Sequence, residues 1–527
     1  MTRQIETHGP DPRLESELRA QIKEWRQGRA TKKLTEALSD AYVALFALVV
    51  FGAMLANVLL SAQVSAGQCL EGACVSARTL LPVATWAGLG ALALAVSRLI
   101  GPVVASAAEG FWLMDAPLNR GRLLANRLFA VVAATAGIGA LAGALISLLT
   151  GISTGGVIAW AAATGLSAAA LTAFAAAEQG AERSFLVRVA EAVFGIVGVG
   201  AVLLVVGIAA GWVDLHVSSS AETELAFVVA GLAALLLILA LVVARRRLQH
   251  LRRVRLTTGG SLASGLAGSF YALDFGLAHD ILTEQRARER GQVRPTRGSG
   301  KGAGALLLRD LQRLLRRPQV LLGPLIAAVV PYATGALGLG AVTSPLAAVA
   351  LFLALVPLFG GLRVLARTSG LARMLPMPTS RIRMAQSAIP AAVALVFAIA
   401  TAPAYVGFGV DATRTLGEAL QVSLMTAVAG LLGAIRWVTA KPANYQAPAV
   451  ASPAGALPTG MIANLVRGFD VVLLVTIPLV FGLPVVISVV LAVVVGAVLI
   501  TGGIDVEEAQ RQQAEQRKAM NAGRDRR

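Results

Sequence analysis

The chain has 527 residues, of which 56% are hydrophobic and only 14% charged, and its mean hydropathy is +0.72. Soluble globular chains run nearer about 45–50% and about 25%, so a soluble enzyme is excluded. The net charge of +17 comes largely from Arg residues spread over short connections with few aromatic residues between them, a pattern that argues against a nucleic-acid partner.

Residues 1–37 are polar, and no cleavable signal peptide is expected before the first long apolar run. Within 12–33, Leu14, Leu18, Ile22 and Trp25 recur at helical spacing, with Arg13, Glu17, Arg19, Lys23, Glu24 and Arg26 around the rest. That is a basic amphipathic helix, suited either to lie in the membrane interface or to touch a partner as well. Six apolar stretches follow, at 38–61, 79–100, 126–150, 155–177, 186–211 and 222–244. A bilayer core of about 30 Å takes about 20 helical residues to cross, so each stretch predicts a span. The first connection, Gln63–Arg78, holds Cys69 and Cys74, the only cysteines. They form either a small disulfide or two free thiols, and without His the pair is a poor metal site.

A polar, basic stretch at 245–317 separates this set from a second. It contains Gly298-Ser299-Gly300-Lys301-Gly302, which imitates the end of a phosphate-binding loop. Pro295 and Gly302 occupy the places that the motif reserves for Gly and for Ser or Thr, so 256–302 reads as a linker and ATP hydrolysis is expected elsewhere. A second amphipathic segment, 303–317, sets Leu307, Leu311, Leu314 and Leu315 against Arg309, Asp310, Arg313, Arg316 and Arg317. Six further stretches follow, at 319–340, 344–366, 384–408, 415–436, 464–481 and 484–503. The last two are joined so tightly that a re-entrant hairpin is the alternative to two crossings. A polar tail, 504–527, ends the chain.

Connections alternate in charge. Arg245, Arg246, Arg247, Arg252, Arg253 and Arg255 follow the sixth span, and Arg363, Arg367, Arg373, Arg381 and Arg383 lie between the eighth and ninth. The opposite connections are almost free of Lys and Arg. By the positive-inside rule both termini are cytoplasmic. Trp86, Trp160, Trp212 and Trp437 then fall near span ends, where interfacial aromatic residues are expected.

The connection between the second and third span of each set carries the strongest candidate site. In the first set, Phe111-Trp112-Leu113-Met114 precede Pro117, Asn119, Arg120 and Arg122. In the second, Met374, Leu375 and Met377 surround Pro376 and precede Pro378, Ser380, Arg381 and Arg383. Asn119 and Ser380 are fair helix N-caps. Each connection presents a short apolar knob with basic flanks, and such a knob is costly unless something covers it. It packs either on the protein's own helices or on a partner.

These segments resemble the permease subunits of bacterial ABC-2-type exporters, in the fused two-half form found in actinobacteria. The resemblance implies an all-α integral membrane fold of about 12 transmembrane helices in two pseudo-equivalent halves, 38–255 and 318–503. It also implies connecting helices at 12–33 and 303–317, and coupling helices at 111–122 and 371–383 that insert into two copies of a cytoplasmic ATPase subunit. Under it, no cofactor belongs to this chain, since ATP and magnesium bind the partner. The cargo would be a lipophilic or amphipathic drug, antibiotic or lipid, and the site the bacterial plasma membrane. An ion-gradient-driven carrier and a non-transporting scaffold stay open as alternatives. Of the two carboxylates expected at membrane depth, Glu191 would pair with Arg188 and Asp470 with Arg467, structurally or as proton relays.

Overall fold

The computed structural model describes residues 72–112, 120–209, 212–213, 219–272, 274–291, 298–336, 339–368, 370–371, 374–407, 414–440, 449–452, 455–458, 464 and 466–501, with 17 and 20. Among these, nine helices are long and apolar enough to cross a membrane. The chain is a multi-pass α-helical membrane protein. The expected first span, 38–61, and the first amphipathic segment, apart from 17 and 20, lie outside the described residues.

The chain divides into two compact units. The first contains α1 (Gly72–Ile100), α2 (Ala107–Trp112), α3 (Arg120–Leu149), α4 (Thr154–Gly180), α5 (Phe185–Ala209) and α6 (Ser219–Arg247). Helix α4 is central and packs against α1, α3 and α6, with 67% of its most apolar stretch buried. Its sequence explains this placement. Ala, Gly, Ser and Thr let backbones approach closely, and between helices in lipid such packing, rather than a hydrophobic drive, provides the attraction. A Cβ on Gly165 would meet the Ala136 carbonyl oxygen of α3 at 2.7 Å. Helices α5 and α6 turn large apolar side chains outward, among them Ile196 (72% exposed) and Leu232 (63% exposed), the surface lipid would cover.

Beyond α6 the structure departs from the expected linker. Residues 253–271 and 275–290 form α7 (Arg253–Tyr271) and α8 (Phe275–Arg290), two helices that pack on each other. Asp274 starts α8 by accepting the Leu277 N–H at 2.9 Å. The sequence hid this hairpin because its buried positions are Gly, Ser and a few Leu rather than an apolar stripe. A short antiparallel hairpin, β1 (Ala449–Ser452) and β2 (Gly455–Pro458), pairs Val450 with Leu457 inside the Pro/Ala-rich stretch near 450.

The second unit opens with the amphipathic α9 (Gly302–Arg316). The next span, Pro318–Gly335, is broken into a 3₁₀ turn, α10 (Leu322–Ala327) and α11 (Val330–Ala336). It carries Pro318, Pro324 and Pro331, each without an N–H to donate. The following span holds α12 (Thr343–Leu355), a 3₁₀ turn at Pro357, and α13 (Gly360–Arg367). Two long helices, α14 (Thr379–Val406) and α15 (Leu416–Val438), complete the bundle with α16 (Phe469–Val480) and α17 (Val485–Thr501). Helix α15 is central here, also 67% buried in its most apolar stretch. It packs on α12, α14, α16 and α17. Thr415 and Glu418 form a reciprocal capping box at its start, which satisfies two of its orphan N–H groups. Helix α16, at 12 residues, rises about 18 Å, short of a full crossing.

Two of the tryptophans are tied into the bundle. Trp160 is fully buried and donates its indole N–H to Glu222 at 3.0 Å. Trp86 donates to Ser167 at 2.8 Å and tilts against Phe194 at 5.1 Å. Both indoles find their hydrogen-bond partners on neighbouring helices of the bundle. Trp212 is 72% exposed, and Trp437 lies under the Arg363 guanidinium at 4.7 Å.

Candidate docking surfaces at the basic ends

In the first unit, the segment from α1 to α2 is braced from several sides. Gln179 of α4 pairs with the backbone of Val103 in both directions, at 3.3 and 3.1 Å. Ser106 starts α2. Its N–H and hydroxyl both donate to Glu109 at 2.9 Å, and its oxygen accepts the Glu109 N–H, a capping box. Arg127 then reaches back from α3 to the Val104 carbonyl at 2.8 Å and to Glu109 at 2.5 Å. Burial alone would raise the Glu109 carboxyl; the hydrogen bonds from Arg127 and Ser106 outweigh it and hold the group at about 2. Arg247 bonds the Ala177 carbonyl and Glu178 at 3.2 and 3.3 Å, and Arg252 pairs with Glu182. Much of the basic residues' charge at this end is thus spent on holding helix ends.

Of the predicted knob, Phe111 is 59% exposed, with the Arg253 guanidinium 5.3 Å above its ring. Trp112 closes α2 in its backbone only, and Leu113, Met114, Pro117 and Asn119 lie outside the described residues. Arg120 and Arg122 open α3, the first half-buried and the second exposed. Cys69 also lies outside the described residues, and of Cys74 only the backbone is described.

In the second unit the knob runs from Met374 to Pro378. Met374 is 81% exposed, while Leu375 and Met377 are half-buried and Pro378 and Arg381 exposed. The Met377 N–H turns back to the Leu375 carbonyl at 2.8 Å, which tightens the connection. Helix α14 starts at Thr379 with Pro378 at its cap. Ser380 is therefore already inside the first turn and is not the N-cap. The expected docking role of Arg383 also meets a different geometry, because its guanidinium donates to the Leu499 carbonyl at the end of α17. Arg363 is buried, only 6% exposed, and stacks on Trp437 rather than facing out.

The amphipathic α9 keeps Leu307, Leu311 and Leu314 half-buried and its Arg side chains exposed, but two residues depart from the faces that the spacing suggests. Asp310 is 5% exposed and accepts from Arg313 at 2.9 Å. A Cβ on Gly361 of α13 would lie 2.2 Å from Gln386 Oε1, 2.3 Å from Arg313 Nη1 and 3.0 Å from Asp310 Oδ1. These three side chains therefore converge on one bare Cα and latch α9 against α13 and α14. Burial raises the Asp310 carboxyl above its ordinary range, against the pull of Arg313. Leu315, placed in the apolar stripe, is 72% exposed.

The carboxylates expected at membrane depth find other partners. Glu191 accepts two hydrogen bonds from Arg98 of α1, at 2.7 and 3.2 Å, while Arg188 donates to Ser184 at 2.8 Å. Asp470 accepts the N–H groups of Gly468 and Val471 at 2.8 and 2.9 Å, and its other oxygen is 3.5 Å from Arg436. Sequence reasoning missed Glu178 and Glu222, both buried with one carboxylate oxygen lacking a partner. Their place at the ends of spans disguised them as interfacial charges. Among the described residues no group of His, Cys, Asp and Glu could hold a metal ion.

The profile of a family of unknown function, DUF6297, matches residues 74–448. The chain belongs to that family. Both knob-bearing connections fall within the matched region, whereas α16 and α17 lie beyond it. No curated protein and no solved structure matches the chain.

Proposed function

We propose that this DUF6297 protein is the membrane-spanning subunit of an ATP-driven exporter of the ABC-2 type. A separate ATPase docks on the Arg-flanked connections, and the cargo is lipophilic or amphipathic. The observation that carries this reading is the pair of exposed apolar residues, Phe111 and Met374, one in the connection between the second and third span of each set. Apolar side chains on the spans have lipid to cover them. These two sit on basic connections, where only another protein surface would remove them from water.

Two further observations support it. The fourth predicted span of each set, α4 and α15, is the central helix of its unit, as two pseudo-equivalent halves require. The carboxylates of the two sets that sequence placed at membrane depth, Glu191 and Asp470, are engaged with Arg98 and with a helix start. Energy would then enter by rigid-body motion of one half against the other. The Arg-rich ends face the cytoplasm on this reading, and both termini lie there.

The test is co-purification. Met374→Asp combined with Arg381→Glu should cut recovery of the ATPase subunit by about ten-fold, the loss of about 1.4 kcal/mol, with membrane insertion intact. Arg383 is left unchanged, since its bond to Leu499 makes it a packing residue. Undiminished recovery from this variant and from Phe111→Asp would count decisively against the proposal. A gradient-driven carrier is the second reading, favoured by the buried Glu222 with its unpartnered oxygen. Solute uptake by the purified chain alone, abolished in Glu222→Gln, would replace the first reading with the second.

A further inference from the structure

Helix α7 holds the segment that leads to Phe111 by contacts too close for any side chain larger than hydrogen. A Cβ on Gly259 would lie 2.0 Å from the Ile100 carbonyl oxygen, and one on Gly260 would lie 1.9 Å from that of Ala105. The Ala105 N–H donates to the Leu256 carbonyl at 3.1 Å. One turn earlier, the Thr257 methyl fills the space beside Gly110, 2.2 Å from where a Cβ would stand. Arg253 lies over the Phe111 ring. Leu256 is fully buried with Val103, Ala105, Leu248 and Leu251. Positions 253, 256, 257 and 260 share one helical face with Gly259 at its edge, so one side of α7 packs along residues 100–110 and leaves Phe111 exposed beneath Arg253.

We infer that α7 is a built-in clamp, and that Phe111 and Arg253 together form one composite docking surface for the ATPase partner. The docking half of this inference rests on the function proposed above; the clamp rests on contacts within the first unit. The surface offers an aromatic ring under a guanidinium, beside Val254 at 74% exposure and the exposed Arg255. Its complement is an apolar pocket on the partner rimmed by carboxylates.

The experiment is hydrogen exchange on the full chain in nanodiscs, with ATPase co-purification measured on the same variants. Gly260→Val should speed exchange of the Ala105 amide by about ten-fold or more, whereas Gly268→Val, on the same helix with open space around it, should change it by less than about two-fold. Should Gly260→Val fail to fold, a milder pair decides. Gly110→Ala should loosen 105–111, and Gly110→Ala with Thr257→Ser, which removes the obstructing methyl, should restore protection. Equal exchange in Gly260→Val and Gly268→Val, or no rescue by Thr257→Ser, overturns the clamp. A wild-type chain that captures no ATPase sinks the partner reading, and exchange then judges the clamp alone. Wild-type and Gly110→Ala chains capturing the ATPase equally, with 105–111 loosened, would overturn the composite surface.

Discussion

Replacing Gly165 with Ala should destabilise the first unit, although Ala is the better helix former. The gain in propensity is about 1 kcal/mol. Against it, the new methyl carbon would stand 2.7 Å from the Ala136 carbonyl oxygen and 2.9 Å from the Ala140 Cβ. Contacts between carbon and such atoms settle near about 3.4 Å or more, so α3 and α4 must part by about 0.7 Å along their seam. A gap of that size forfeits about a quarter to a half of each dispersion well, and overpacking of this kind costs about 1–3 kcal/mol. The net expectation is a loss of up to about 2 kcal/mol. Gly137 sits on α3 with nothing within 4 Å of its would-be Cβ, so Gly137→Ala should instead stabilise by about 0.5–1 kcal/mol. Reversible unfolding in mixed micelles, followed by fluorescence of the buried Trp160, measures both. Equal effects of the two substitutions would refute the view that backbone approach at small residues holds this bundle together.

The Glu109–Arg127 pair should give the α2 segment a pH-dependent brace. The folded carboxyl is held at about 2, below its unfolded value. The contribution is therefore complete above the unfolded value of about 4.3 and is lost as pH falls toward 2. With the Glu109 side chain 23% exposed and solvent screening allowed for, it amounts to about 1–2 kcal/mol. Glu109→Gln should remove it at neutral pH, read as faster exchange of the 106–112 amides, while the same change in an Arg127→Met background should add little. In the second unit, Gly361→Ala should drive apart Arg313 and Gln386 and release α9, seen as rapid protease cleavage within 302–316; an unchanged cleavage rate would show that the latch does not hold that helix.

The chain's amino-acid pattern alone determined the membrane class, because a span must satisfy its backbone internally and cover about 20 residues with apolar side chains. It likewise marked α1 and α3–α6, α12 to α15 and the exposed Phe111 and Met374, since each depends on local composition and on chain order. What it could not determine were the partners of its polar residues. Glu191 pairs with Arg98 rather than with its sequence neighbour, Asp310 turns inward, Arg383 reaches α17, and Trp86 and Trp160 sit within the bundle. Periodicity reports which face a residue occupies, but not which helix that face meets. The α7–α8 hairpin is the clearest case. Its packing is written in Gly259 and Gly260, residues that signal a breaker or a linker until another backbone is brought within reach. Tertiary structure decided these matters because close approach and charge pairing depend on distances between segments far apart in the chain.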